Sequence, residues 1–174
     1  MNRRKEIQEI LSNWQQLVHG LQYEPEDYYK ALEDQIASKE VEGITTQRVI
    51  LSQGAVFSRK REYLRVMYGE YIFDICGAPF GSKAFFFSYW MGYKDLSGCF
   101  GMIVRLLLII PFLGALVSKT LAPLTYYQRD TASMFNSLIS GVIMEEVDKI
   151  VGESGIEPIS EEDRVPNDKK LTEI

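Results

Sequence analysis

The sequence is short of the residues that carry most enzyme and metal chemistry. It holds one histidine, His19, and two cysteines, Cys76 and Cys99. A single histidine without a cysteine or acid cluster does not make a zinc site. The two cysteines have neither metal-ligand nor redox spacing, and both read as reduced thiols in a cytosol-facing compartment. Gly77, Gly81 and Gly92 fit neither a dinucleotide fingerprint nor a phosphate loop, and nucleophile-elbow and kinase signatures are missing. The sequence therefore predicts no catalytic residue, no metal and no cofactor, and it leans away from an enzyme. Basic charge is also in short supply. Nineteen Lys and Arg against 24 Asp and Glu give a net charge of −5, which argues against nucleic acid as a partner. The opening MNRRKEIQEILSNW is basic, but it lacks the continuous apolar core of a secretory signal.

What the chain does have is one long apolar run, SGCFGMIVRLLLIIPFLGALVSKTL, from Ser97 to Leu121. Between Cys99 and Val117 its only charge is Arg105. Mean hydropathy over the whole chain is −0.10, so lipid contact is confined to this one segment. Three readings are open. Gly98 to Ser118 is just long enough for a single span, which needs roughly 20 apolar residues. Arg105 costs such a span about 2.5–3.5 kcal/mol, and Pro111 removes a helical hydrogen bond. In a bent or re-entrant anchor, a helix over 99–110 turns at Pro111–Gly114, the chain dips into one leaflet, and Arg105 snorkels to the headgroups. In the third reading the two arms are the buried core of a soluble domain. The bent anchor is preferred.

The rest of the chain reads as α+β. Ile7, Ile10, Leu11, Trp14, Leu17, Val18 and Leu21 recur at steps of three and four, which predicts a helix over Arg3–Leu21. Pro25, Glu26 and Asp27 open a second helix carrying Tyr28, Leu32 and Ile36 on one face. The period then changes to two. Val49–Phe57, Arg61–Tyr68, Tyr71–Cys76 and Ala84–Met91 read as antiparallel strands, with Gly69-Glu70 as a hairpin turn. A long amphipathic helix is expected from Tyr126 to Val151. Its apolar stripe is Met134, Phe135, Leu138, Ile139, Val142, Ile143, Val147 and Ile150; its polar face is Asn136, Ser140, Glu145, Glu146, Asp148 and Lys149. The expected architecture is two N-terminal helices on a small antiparallel sheet, an apolar helical hairpin or span, and this last helix. The domain boundaries are 1–96, 97–122, 123–155 and a polar tail, 156–174, expected to be extended or disordered.

Candidate functional residues follow from this layout. Phe85, Phe86, Phe87, Tyr89 and Trp90 have the aromatic density of a membrane interface. With Arg105, Leu106, Leu107, Leu108, Ile109, Ile110, Phe112 and Leu113 they form the expected membrane contact. Arg59, Lys60, Arg61 and Arg65 are the densest basic cluster, suited to lipid headgroups or to protecting a sheet edge. Asp74, Arg129 and Asp130 are the candidate polar site. Asp74 reads as the outward member of an alternating strand, and Arg129 can pair with it or with a headgroup. Thr125 or Thr131 is placed to cap the last helix.

REYLRV (Arg61–Val66), FDICGAPFG (Phe73–Gly81), FFFSYW (Phe85–Trp90) and YYQRDTASMF (Tyr126–Phe135) together resemble a group of uncharacterised bacterial membrane-associated proteins. The likeness runs over about Tyr28–Ile159, although the apolar run is shorter here than in that group. The resemblance implies a bacterial origin and membrane association, and no particular chemistry. The function expected is a non-enzymatic, membrane-associated interaction or scaffold module on the cytoplasmic face of the inner membrane. Membrane lipid and a protein partner or second copy would be its partners. The alternative is a soluble cytoplasmic domain that binds an apolar or lipid-like ligand between sheet and helices.

Overall fold

The computed structural model describes residues 7–52, 60–94 and 125–168. Five antiparallel strands form one sheet in the order β1-β5-β4-β3-β2. They are β1 (Ile7–His19), β2 (Ile44–Ser52), β3 (Lys60–Tyr68), β4 (Tyr71–Pro79) and β5 (Ala84–Lys94). Two helices, α1 (Pro25–Ser38) and α2 (Tyr126–Glu153), complete the α+β fold. The apolar segment 97–121 lies outside the described residues, and among those residues no helix is long and apolar enough to cross a membrane.

Alternation sets the two faces of the sheet. Leu64 and Val66 of β3, Tyr71, Phe73 and Ile75 of β4, and Phe85, Phe87, Tyr89 and Met91 of β5 share one face, and all are buried. Both helices pack there: Tyr28 of α1 meets Phe87 edge-on at 5.1 Å, and Phe135 of α2 meets Phe73 at 5.8 Å. The predicted hairpin is present. Gly69 takes φ +57° at the first turn position, a left-handed conformation that costs glycine little. β4 runs three residues beyond its expected end at Cys76, through Gly77 to Pro79.

The first element differs from expectation. Residues 7–19 form a strand, not a helix, paired along β5 from Ile7↔Lys94 to His19↔Ala84. The helix-like spacing has a physical origin. Register shifts between Ile7 and Ile10 and between Ile10 and Ser12 break the alternation of β1, and with Leu11 inward beside Ser12 the step from Leu11 to Trp14 is three. Trp14 and Val18 are four apart, a spacing that satisfies both periods.

α2 begins as the sequence indicated, with Thr125 as N-cap in a reciprocal capping box with Gln128. Its buried stripe is rotated from the expected one. Met134 is exposed, while Asn136 and Glu146, expected on the polar face, are buried. Tertiary contacts explain Glu146: its carboxylate accepts from Gln35 of α1 and from Lys149. Residues beyond α2 are anchored to β1. Asn167 bridges Asn13, the Trp14 indole donates to the Asp163 carbonyl at 2.6 Å, and Ile159 is buried.

Candidate functional site

The β3–β4 turn holds both flanks of residues 95–124. The Lys94 amide, at the end of β5, donates to the Glu70 carbonyl at 2.8 Å. The Gln128 side-chain amide, in the first turn of α2, donates to the Glu70 carboxylate at 3.4 Å. Beside it the Tyr71 hydroxyl donates to the Gln128 carbonyl at 2.8 Å. Burial, reinforced by Tyr93 and Glu70, pushes the Tyr71 phenol well above its ordinary value, so it stays protonated as a donor. The local sequence dictates the arrangement: a two-residue turn exposes Glu70, and the capping box orients Gln128. The chain therefore leaves and returns to the domain at one corner.

Large apolar side chains are exposed on α2 from this corner onward. Tyr126 is 84% exposed, Tyr127 79% and Met134 66%. Tyr127 and Met134 are seven residues apart, two helical turns, and so lie on one side of α2. The described charges around the corner are Lys94 and Arg129 against Glu70, Asp130 and Glu9.

The sequence candidates fall in several places. Phe85, Phe87 and Tyr89 are buried under the helices, where Phe85 meets Phe87, Phe87 meets Tyr28 and Tyr89 meets Phe73, so they belong to the core and not to a surface. Phe86 and Trp90 are half-buried on the other face. Arg105, Leu106, Leu107, Leu108, Ile109, Ile110, Phe112, Leu113 and Arg59 lie outside the described residues. Lys60 and Arg61 are exposed at the start of β3, the end of the strand away from Glu70. Arg65 is engaged otherwise. It makes a bidentate ion pair with Asp74 on the neighbouring strand, at 2.7 Å for both bonds. Asp74 is therefore buried, not turned to solvent, and its partner is Arg65, not Arg129. Arg129 is half-buried and Asp130 exposed in the first turns of α2. The structure does not bring Asp74, Arg129 and Asp130 together as one site.

Chemistry on the sheet is quiet. Cys76 is buried, and burial raises its thiol pKa, which keeps it from acting as a nucleophile. Among the described residues no group of three His, Cys, Asp or Glu is placed to hold a metal ion. A cleft of about 200 Å³ between α1 and β2, lined by Glu33, Ile36, Ala37, Glu40, Val41, Ile44 and Thr46, is smaller than ordinary ligand pockets of roughly 300–1,000 Å³. The residues missed from sequence are Glu70 and Gln128. The Thr125-x-x-Gln128 spacing signals a capping box, but the contact to Glu70 is long-range and leaves no local trace. No protein family, no curated protein and no solved structure matches the chain.

Proposed function

We propose that the protein is a non-enzymatic, membrane-associated interaction module, an α+β domain held at the cytoplasmic face of a bilayer by residues 97–121. The observation that carries this reading is the shared attachment of Lys94 and Gln128 to Glu70. A single crossing would separate the two flanks by the hydrocarbon thickness, about 30 Å. Two crossings would need roughly 40 apolar residues, more than the run from Ser97 to Leu121 contains. A segment that enters and leaves through the same leaflet meets both limits, and it lets Arg105 reach the headgroups. Protein partners or a second copy would then meet the anchored domain from the cytoplasmic side.

Flotation tests the reading. Full-length protein, purified without detergent where it allows, is mixed with phosphatidylcholine vesicles and centrifuged through a density gradient. It is expected to rise with the lipid and to need detergent for release. Protein that stays in the aqueous layer as a sharp monomer overturns the anchor.

A further inference from the structure

Tyr126 and Tyr127 are large aromatics exposed at the start of a helix whose other face is well packed. Neither stabilises the domain by burial, and single exposed tyrosines call for no explanation. Here two adjacent tyrosines stand where an apolar run returns to the fold, with Met134 two turns further along α2, and Lys94, where the run departs, shares Glu70 with Gln128. Tyrosine has an apolar ring and a polar tip, which favours the boundary between hydrocarbon and water. We infer that Tyr126, Tyr127 and Met134 are the surface on which the domain rests in the headgroup layer, with the β3–β4 turn toward the bilayer and the β4–β5 turn away from it. This inference rests on the anchored reading above.

The geometry makes the orientation specific. β3 spans 9 residues from Lys60 to Tyr68, and at about 3.3 Å per residue the two ends of the sheet lie roughly 30 Å apart. With the Glu70 corner at the membrane, Lys60 and Arg61 stand about three Debye lengths away at 0.1 M salt. They are then out of reach of lipid phosphates. At the corner itself the described charges are Lys94 and Arg129 against Glu70, Asp130 and Glu9, with no excess of positive charge, so the contact draws on aromatic and apolar area. Binding should therefore respond little to the anionic fraction of the lipid or to salt, unlike a basic patch.

The test places an environment-sensitive fluorophore at each end of the domain. In a Cys99→Ser chain, Cys76 being buried, Tyr127→Cys reports on the corner and Lys83→Cys on the β4–β5 turn. Vesicles of phosphatidylcholine, with and without a third phosphatidylglycerol, carry brominated acyl chains as quencher. The expected result is a blue shift and quenching at position 127 alone, equal in both lipids. Tyr126→Ser beside the labelled Tyr127→Cys should shift the label depth outward, and unlabelled Tyr126→Ser/Tyr127→Ser should weaken partitioning about tenfold, while Lys60→Glu/Arg61→Glu should change nothing. Protein that floats with vesicles while the label at 127 stays in water overturns the orientation and leaves the anchor intact. Quenching at 83, or binding that needs the anionic lipid, overturns it as well. Protein that does not float at all overturns the anchor itself.

Discussion

Tyr29 performs a task that its neighbour Tyr28 does not, and the pair gives a sharp test of the packing. The β3–β4 ladder is paired from Tyr68↔Tyr71 to Leu64↔Ile75. Beyond it the Tyr29 hydroxyl accepts from the Gly77 amide at 3.1 Å and donates toward the carbonyls of Glu62, at 2.8 Å, and Gly77, at 3.1 Å. A side chain from α1 thus replaces backbone pairing between two strands. Tyr29→Phe keeps the ring and deletes the bridge. It leaves a buried N–H without its acceptor, at about 1–3 kcal/mol, and removes one donor from the carbonyls, at about 1 kcal/mol. The sum, roughly 2–4 kcal/mol, corresponds to a fall in Tm of about 4–16 °C for a chain of this size. Tyr28 is the internal control. Its hydroxyl is buried and, among the described residues, has no hydrogen-bond partner, so Tyr28→Phe should be neutral or slightly stabilising. Urea unfolding measures both, and amide exchange at Gly77 should speed up only in Tyr29→Phe. Equal effects from the two substitutions, or unchanged protection at Gly77, would refute the reasoning.

Two further predictions concern the sheet and its aromatic core. Asp74→Ala removes both charge-assisted hydrogen bonds to Arg65, whose side chain is 14% exposed, and should cost about 2–3 kcal/mol. The double replacement Arg65→Met/Asp74→Leu should recover most of that loss in urea denaturation, and additive losses would argue against a coupled pair. Stability should also fall steeply in alkali. Tyr89 is pushed up to about 12 by burial, and burial likewise raises Tyr28, Tyr29 and Tyr71 above the ordinary value of 10.0. Folded tyrosines keep protons that unfolded ones release, so this stability is complete below pH 10 and is lost as pH rises from 10 through about 12. The slope is about 1.4 kcal/mol per pH unit for each such tyrosine. A denaturation midpoint in urea that stays flat from pH 9 to 11.5 would count against it.

Much of the sheet was legible because its residues obey one period. Leu64, Val66 and Tyr68 alternate strictly, and Gly69-Glu70 supplies the turn, so β3, β4 and their hairpin follow from local chemistry. α1 was equally open to reading from Pro25 and the Tyr28–Leu32–Ile36 spacing. β1 was not. Two register shifts before Ser12 convert a period of two into a mixture of threes and fours, and only the pairing with β5 decides between strand and helix. The polar members of α2's buried stripe were hidden for a similar reason. Nothing near Glu146 in sequence announces Gln35, its partner on α1. The corner was half visible, in its apolar run and in Tyr126 and Tyr127, but its closure on Glu70 joins three distant stretches of chain.

The meeting of Lys94 and Gln128 at one residue has a consequence for how such a protein can change. Whatever lies between them is topologically an insert whose two ends are already held together by the host. Chain-closure entropy rises only by about 0.6 kcal/mol for each doubling of such an insert. Length and apolar character there can drift, or be exchanged wholesale, while β5 and α2 keep their seats.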